Sequence, residues 1–222
     1  ELSMFSKAYD VVRASEYGDT GNFTDIKGED IRGAFVYLNE SMILPTALPI
    51  AIKYFAEANE ITLSVSDNQL YSYDYEEEVE RLSNILAGMF DILNEQTQSI
   101  DEDGQTVSVD GDFVRDIFLD VSNSQVILLL SESFLLPTLE EGEGTLSQLI
   151  EIPDGFSLSD EYLALGNIIA ELVDNDISIK TIESAEFNVL LESFAQIDIT
   201  VLLDSDILTE ALINILNNET DM

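Results

Sequence analysis

The chain has no cysteine, no histidine and no tryptophan, and only 8 lysines and arginines against 45 acidic residues. Each absence closes off a class of chemistry. Without cysteine there is no disulfide framework and no thiol nucleophile. Missing histidine as well removes the usual zinc and copper ligands and every histidine-based triad. Catalysis would have to run on carboxylates, hydroxyls, tyrosines and a few bases. The formal net charge of −37 repels phosphate and anionic lipid headgroups, which argues against nucleic acid as a partner. It also predicts stabilisation by salt or divalent cations. No apolar run is long. The richest, 126–139, is interrupted by Ser131-Glu132-Ser133 and falls short of the roughly 18–20 residues of a membrane span. No membrane insertion is therefore expected in this segment. The chain opens on Glu1 and reads as a fragment of a longer protein.

What is present is apolar residue in quantity, 45% of 222 residues, enough for a substantial core. Repetition organises it. Leu130-Ser131-Glu132-Ser133-Phe134-Leu135-Leu136-Pro137-Thr138 matches Leu38-Asn39-Glu40-Ser41-Met42-Ile43-Leu44-Pro45-Thr46 at six of nine positions. A looser copy runs from Leu203 to Ala211. These motifs stand 92 and 73 residues apart, whereas a second pair, 82–87 and 165–170, stands 83 apart, with Asp91 and Asp174 at the same spacing. Their short polar residues before apolar runs suggest helix caps, so replacing Ser131 or Asp204 by alanine would cost about 1 kcal/mol.

Helical periodicity marks 4–14, 31–38, 75–94, 113–121, 159–173 and 185–195, with a last helix ending near Leu216. The clearest is 75–94, where Val79, Leu82, Ile85, Leu86, Met89, Phe90 and Leu93 form one face. Glu76-Glu77-Glu78 at its start complements the helix dipole. Ile61 to Ser66 alternates apolar and polar as a half-buried strand would; 106–109, 149–153 and 177–180 also read as short strands. The sequence thus predicts a mostly α fold with short β-strands (α+β), built of tandem divergent helical repeat units. The units expected are a partial one over 1–60, a second over 61–144 and a third over 145–222, packed as one elongated body or two lobes.

Acidic loops raise the question of Ca²⁺, which takes oxygen ligands. Ser99-x-Asp101-x-Asp103-Gly104, with Asp110 at the twelfth place, approaches an EF-hand loop but starts on serine and lacks the closing glutamate. Asp101, Asp103 and Asp110 are the metal-ligand candidates, with Glu16-Tyr17-Gly18-Asp19 and Asp174-Asn175-Asp176 behind them. A solvated acidic loop is the competing reading of each. Tyr71, Tyr73 and Tyr75 alternate and could line a ligand face, or cover a structural edge. Paired carboxylates could serve glycoside hydrolysis, although nothing selects one pair among so many. No residue is nominated as catalytic or cofactor-binding.

The motif Leu-x-x-Ser-x-Ile/Phe-Leu, with the Leu-x-Asn-Ile-x-Ala helix before it, resembles the helical repeats of very large secreted or cell-surface proteins of low-GC Gram-positive bacteria and their wall-less relatives. The resemblance implies a non-catalytic, extracellular or cell-surface structural or adhesive segment. Its partners would be neighbouring repeats, other protein copies, or a host or surface ligand. A Ca²⁺-responsive binding module and a carboxylate hydrolase are the alternatives.

Overall fold

The structure, a computed structural model, describes residues 2–14, 26–93, 99–100, 106–107, 110–137, 152–153, 155–175, 199–210 and 213. Its helices are α1 (Leu2–Ala14), α2 (Gly28–Glu40), α3 (Ile43–Ala58), α4 (Asp67–Leu70), α5 (Tyr75–Leu93), α6 (Gly111–Asn123), α7 (Gln125–Leu130), α8 (Leu158–Asp174) and α9 (Ile199–Leu202). A π-helical turn, Ser131–Leu135, continues α7.

The fold is all-α, which corrects the α+β expectation. Among the described residues the only ladder is two residues long, pairing Ser99 with Val107 and Ile100 with Thr106. Ile61 to Ser66 forms no strand. Its alternation has another cause: Leu63 and Val65 turn onto the core around Ile52, Leu70, Tyr75, Val126 and Leu129. Among the described residues no strand lies alongside, and the Ser64 N–H instead donates to Ser133 Oγ at 2.9 Å. Extended backbone over an apolar floor has the period of a sheet without being one. The expected strand over 177–180 and helix over 185–195 lie outside the described residues.

The long helices follow their patterns. Asp110 caps α6 through Phe113 N–H at 3.0 Å, and Ser157 caps α8 through Asp160 N–H at 3.3 Å. Helices α1 and α5 both lie along α2, and α5 and α8 both lie along α6. No single described helix is long and apolar enough to cross a membrane; α2 and α3 pass that test only as a pair bent by 92°.

The serine motif is not a constant structural element. Its first copy straddles the corner between α2 and α3, and its third the corner between α9 and the helical residues 206–210. The described part of the second, 130–137, lies inside the α7–π run and its helical continuation, so Ser131 is in mid-helix and not at a helix start. Its hydroxyl instead meets the Tyr162 hydroxyl. Near the C-terminus the cap is Ser205, one residue past the expected Asp204, accepting from Leu208 N–H at 3.1 Å.

Tyr75 anchors the central core. It is 7% exposed and donates its hydroxyl to the Leu70 carbonyl at 2.8 Å. Burial pushes its pKa up to about 12, with Tyr73 and Glu78 adding to the shift. Because the folded pKa lies above the unfolded one, the unfolded chain loses this proton first as pH rises. Stability contributed by Tyr75 should therefore be intact below about pH 10 and fall towards about pH 12. Alkaline denaturation of Tyr75→Phe should show a shallower fall over that window, at the cost of about 1 kcal/mol at neutral pH from the lost hydrogen bond. Identical alkaline curves for the two proteins would contradict this assignment.

Candidate functional site

At two helix starts among the described residues, a glutamate from another helix takes a serine hydroxyl together with opening amides. Glu78, in the first turn of α5, is 1% exposed. It accepts Ser124 Oγ at 2.8 Å, Gln125 N–H at 3.0 Å and Val126 N–H at 3.1 Å. Those amides open α7 and have no partner within it. Ser124, fully buried, also accepts Ile127 N–H at 3.2 Å. Arg81 reaches Glu78 at 3.4 Å, pairs with Glu77, and donates to the Asn123 carbonyl at 3.1 Å. The corner between α6 and α7 is thus tied on both sides to α5. In α8, Glu161 makes the same arrangement, accepting from Ser205 Oγ and from Asp206 N–H at 2.9 Å.

A second contact recurs with equal fidelity. Asp91, 1% exposed, accepts the Gly28 N–H at 2.8 Å and pairs with Arg32 at 3.4 Å. Asp174 accepts the Gly111 N–H at 2.8 Å and pairs with Arg115 at 3.3 Å. All three residues shift by 83 between the two sets, as do Glu78 and Glu161. A Cβ on Gly28 would lie 2.2 Å from Asp91 Oδ2, and one on Gly111 2.2 Å from Asp174 Oδ2. Glycine is required at both helix starts because the carboxylate occupies the space a side chain would fill.

Between α2 and α5 a cleft of about 590 Å³ is lined by Arg32, Phe35, Asn39, Val79, Ser83 and Asn84, among others. The Asn39 side-chain oxygen is buried there without a partner, while its Nδ2 donates to the Glu76 carbonyl at 3.2 Å. The corresponding place between α6 and α8 is tightly closed. There a Cβ on Gly166 would fall 2.3 Å from Phe118 Cβ, an approach only glycine permits. Ser83, buried, stands where Gly166 would be and lines the cleft. Near it, burial raises the pKa of Asp120, against the opposing effects of an Asn84 hydrogen bond and Arg81.

The expected site residues fare unevenly. Asp110 is the α6 cap; Asp101 and Asp103 lie outside the described residues, as do Glu16 to Asp19 and Asp176. Among the described residues no group of three acidic side chains is placed to hold a metal ion. The three tyrosines do not form one face. Tyr75 is buried, Tyr73 packs half-buried with its ring 6.0 Å from that of Tyr75, and Tyr71 is 52% exposed. Glu78, read from sequence as a dipole-complementing residue, is the central acceptor. The signal that could have found it is the common 83-residue step shared by Glu78, Asp91, Gly28 and Arg32.

Compared with protein-family models, with curated proteins and with solved structures, the chain matches none.

Proposed function

We propose that this chain is a non-catalytic structural or adhesive segment of extracellular or cell-surface residence, built from repeated helical units of 83-residue step. The observation that carries the reading is the double use of one contact set. Glu78 with Ser124, and Asp91 with Gly28 and Arg32, recur as Glu161 with Ser205, and Asp174 with Gly111 and Arg115. These acidic groups are engaged by backbone amides and guanidinium groups that join one helix to another. Their work in this reading is mechanical, holding successive helix corners at a fixed angle. The acidic exterior keeps such an array soluble and discourages collapse of one unit onto another.

Pulling a single molecule from its two ends tests the modular part of the reading. The expected record has successive unfolding events of similar contour length, as quasi-one-dimensional arrays give when neighbouring units share only an interface. Asp91→Asn should weaken one event and Asp174→Asn the other. A single all-or-none rupture, unchanged in kind by either substitution, would count decisively against it.

A further inference from the structure

In the second of the two equivalent settings, α7 is a covered helix. Val126 and Leu129 are 3% and 2% exposed, packed on Ile52, Leu70 and Tyr75, and the helix start is closed by Glu78. The helix at the same place one 83-residue step earlier is α3, where Ile43, Thr46 and Ala47 stand for Val126, Leu129 and Leu130. Thr46 and Ala47 are exposed, and the stripe continues through Ile50, 57% exposed, and Tyr54, 72% exposed. Only Lys53 and Glu57 carry charge in the whole of α3.

The corner ahead of it differs in the same sense. Ser41 is buried like Ser124, but its hydroxyl donates back to the Leu38 carbonyl at 2.7 Å rather than to a carboxylate. Its neighbour Met42 takes a left-handed conformation with φ 57°, uncommon for a residue with a side chain. Gln125, the counterpart of Met42, is the first residue of α7 and is held by Glu78.

We propose that the open face of α3, with the Ser41 corner at its head, is a docking surface for another helical unit of this same design. That unit presents an apolar floor and a glutamate equivalent to Glu78. This rests on the repeat reading above and names the partner of one face. The interface already present between α5 and α7 supplies the occupant's chemistry: a carboxylate takes the Ser41 hydroxyl and the amides that open α3, and aliphatic side chains cover Thr46, Ala47 and Ile50. Docking returns Met42 to the helical region.

The absence of cysteine allows a direct test. A chain running from 1 to 110 and then from 28 to 222 places the first Glu78 ahead of the second Ser41 by 46 residues, the native separation of Glu78 and Ser124. Thr46→Cys is introduced in one copy or the other, and maleimide labelling is timed. The thiol in the second copy should react about tenfold or more slowly, since a covered group reacts only on local opening, while the first copy stays fast. Glu78→Gln in the leading copy should restore fast labelling of the second. Equal rates, with helical content increased by the added unit, overturn the docking surface and leave the repeat reading standing. No gain in helical content overturns both. Slowing by zwitterionic lipid vesicles but not by the added unit also overturns the proposal, in favour of a lipid-facing stripe.

Discussion

Replacing Glu78 by alanine is expected to lower the stability of the protein by about 4 kcal/mol, because it strands two buried donors and releases a third, part-buried one. The Ser124 hydroxyl and the Gln125 and Val126 amides all end on this carboxylate. Ser124 is fully buried, so water cannot readily take over. Arg81 would lose one of its two glutamate partners as well. The control is one residue away. Glu77 is more than half exposed and among the described residues pairs with Arg81 alone, so Glu77→Ala should change stability by less than about 0.5–1 kcal/mol. Urea denaturation of the two variants measures the difference directly. Comparable losses from both would mean that Glu78 acts merely as surface charge, and the corner contact would lose its standing.

The second large effect is expected at Gly28. An alanine Cβ there would sit 2.2 Å from Asp91 Oδ2, and Asp91 is 1% exposed and pinned by Arg32. Either the carboxylate leaves, forfeiting the Gly28 amide and the guanidinium, or α2 shifts away from α5. Overpacking of this kind costs about 3 kcal/mol. Gly111→Ala makes the same clash with Asp174, whose side chain is 42% exposed and can swing into solvent, so its cost should be smaller. Gly33 supplies the opposite case. Its Cβ would meet nothing closer than Val11 Cγ1 at 3.3 Å, and alanine in a helix interior gains up to about 1 kcal/mol over glycine. Thermal melts should rank the variants with Gly28→Ala lowest and Gly33→Ala nearest the parent. A Gly28→Ala protein as stable as the parent would show that the helix start has room the contact geometry denies.

The helices were legible because burial on one side leaves a 3.6-residue period. α5 is the plainest instance, with Val79 and Ile85 buried. Ile61 to Ser66 has the pattern of a strand without forming one, because alternation reports which side of a chain is covered and carries no information about whether a neighbour exists to pair with. Ser131 departs from the cap expectation for a related reason: a serine before apolar residues has the same local pattern at a cap and in mid-helix. What decides is whether the preceding helix has ended, as at Ser124, where α6 stops and α7 begins. Glu78 was invisible as a buried group because three glutamates open α5 together, and only their contact with a corner 46 residues away separates the third from its neighbours. Register, more than residue type, held the information. The 83-residue step carries Gly28, Arg32, Glu78 and Asp91 onto chemically identical residues. The 92-residue step of the serine motif carries a helix corner onto the middle of a helix.

The placement of the guanidinium groups has an evolutionary consequence. Arg32, Arg81 and Arg115 each sit against the carboxylates that knit one helix to the next. With 8 basic residues in the whole sequence, these three are scarce and positioned. Acidic residues on the open surface should be free to drift, gained or lost with little selective cost. Change at the three arginines, by contrast, should be purged or matched by a compensating loss of the facing acid, leaving coupled substitution as the trace that related sequences would preserve.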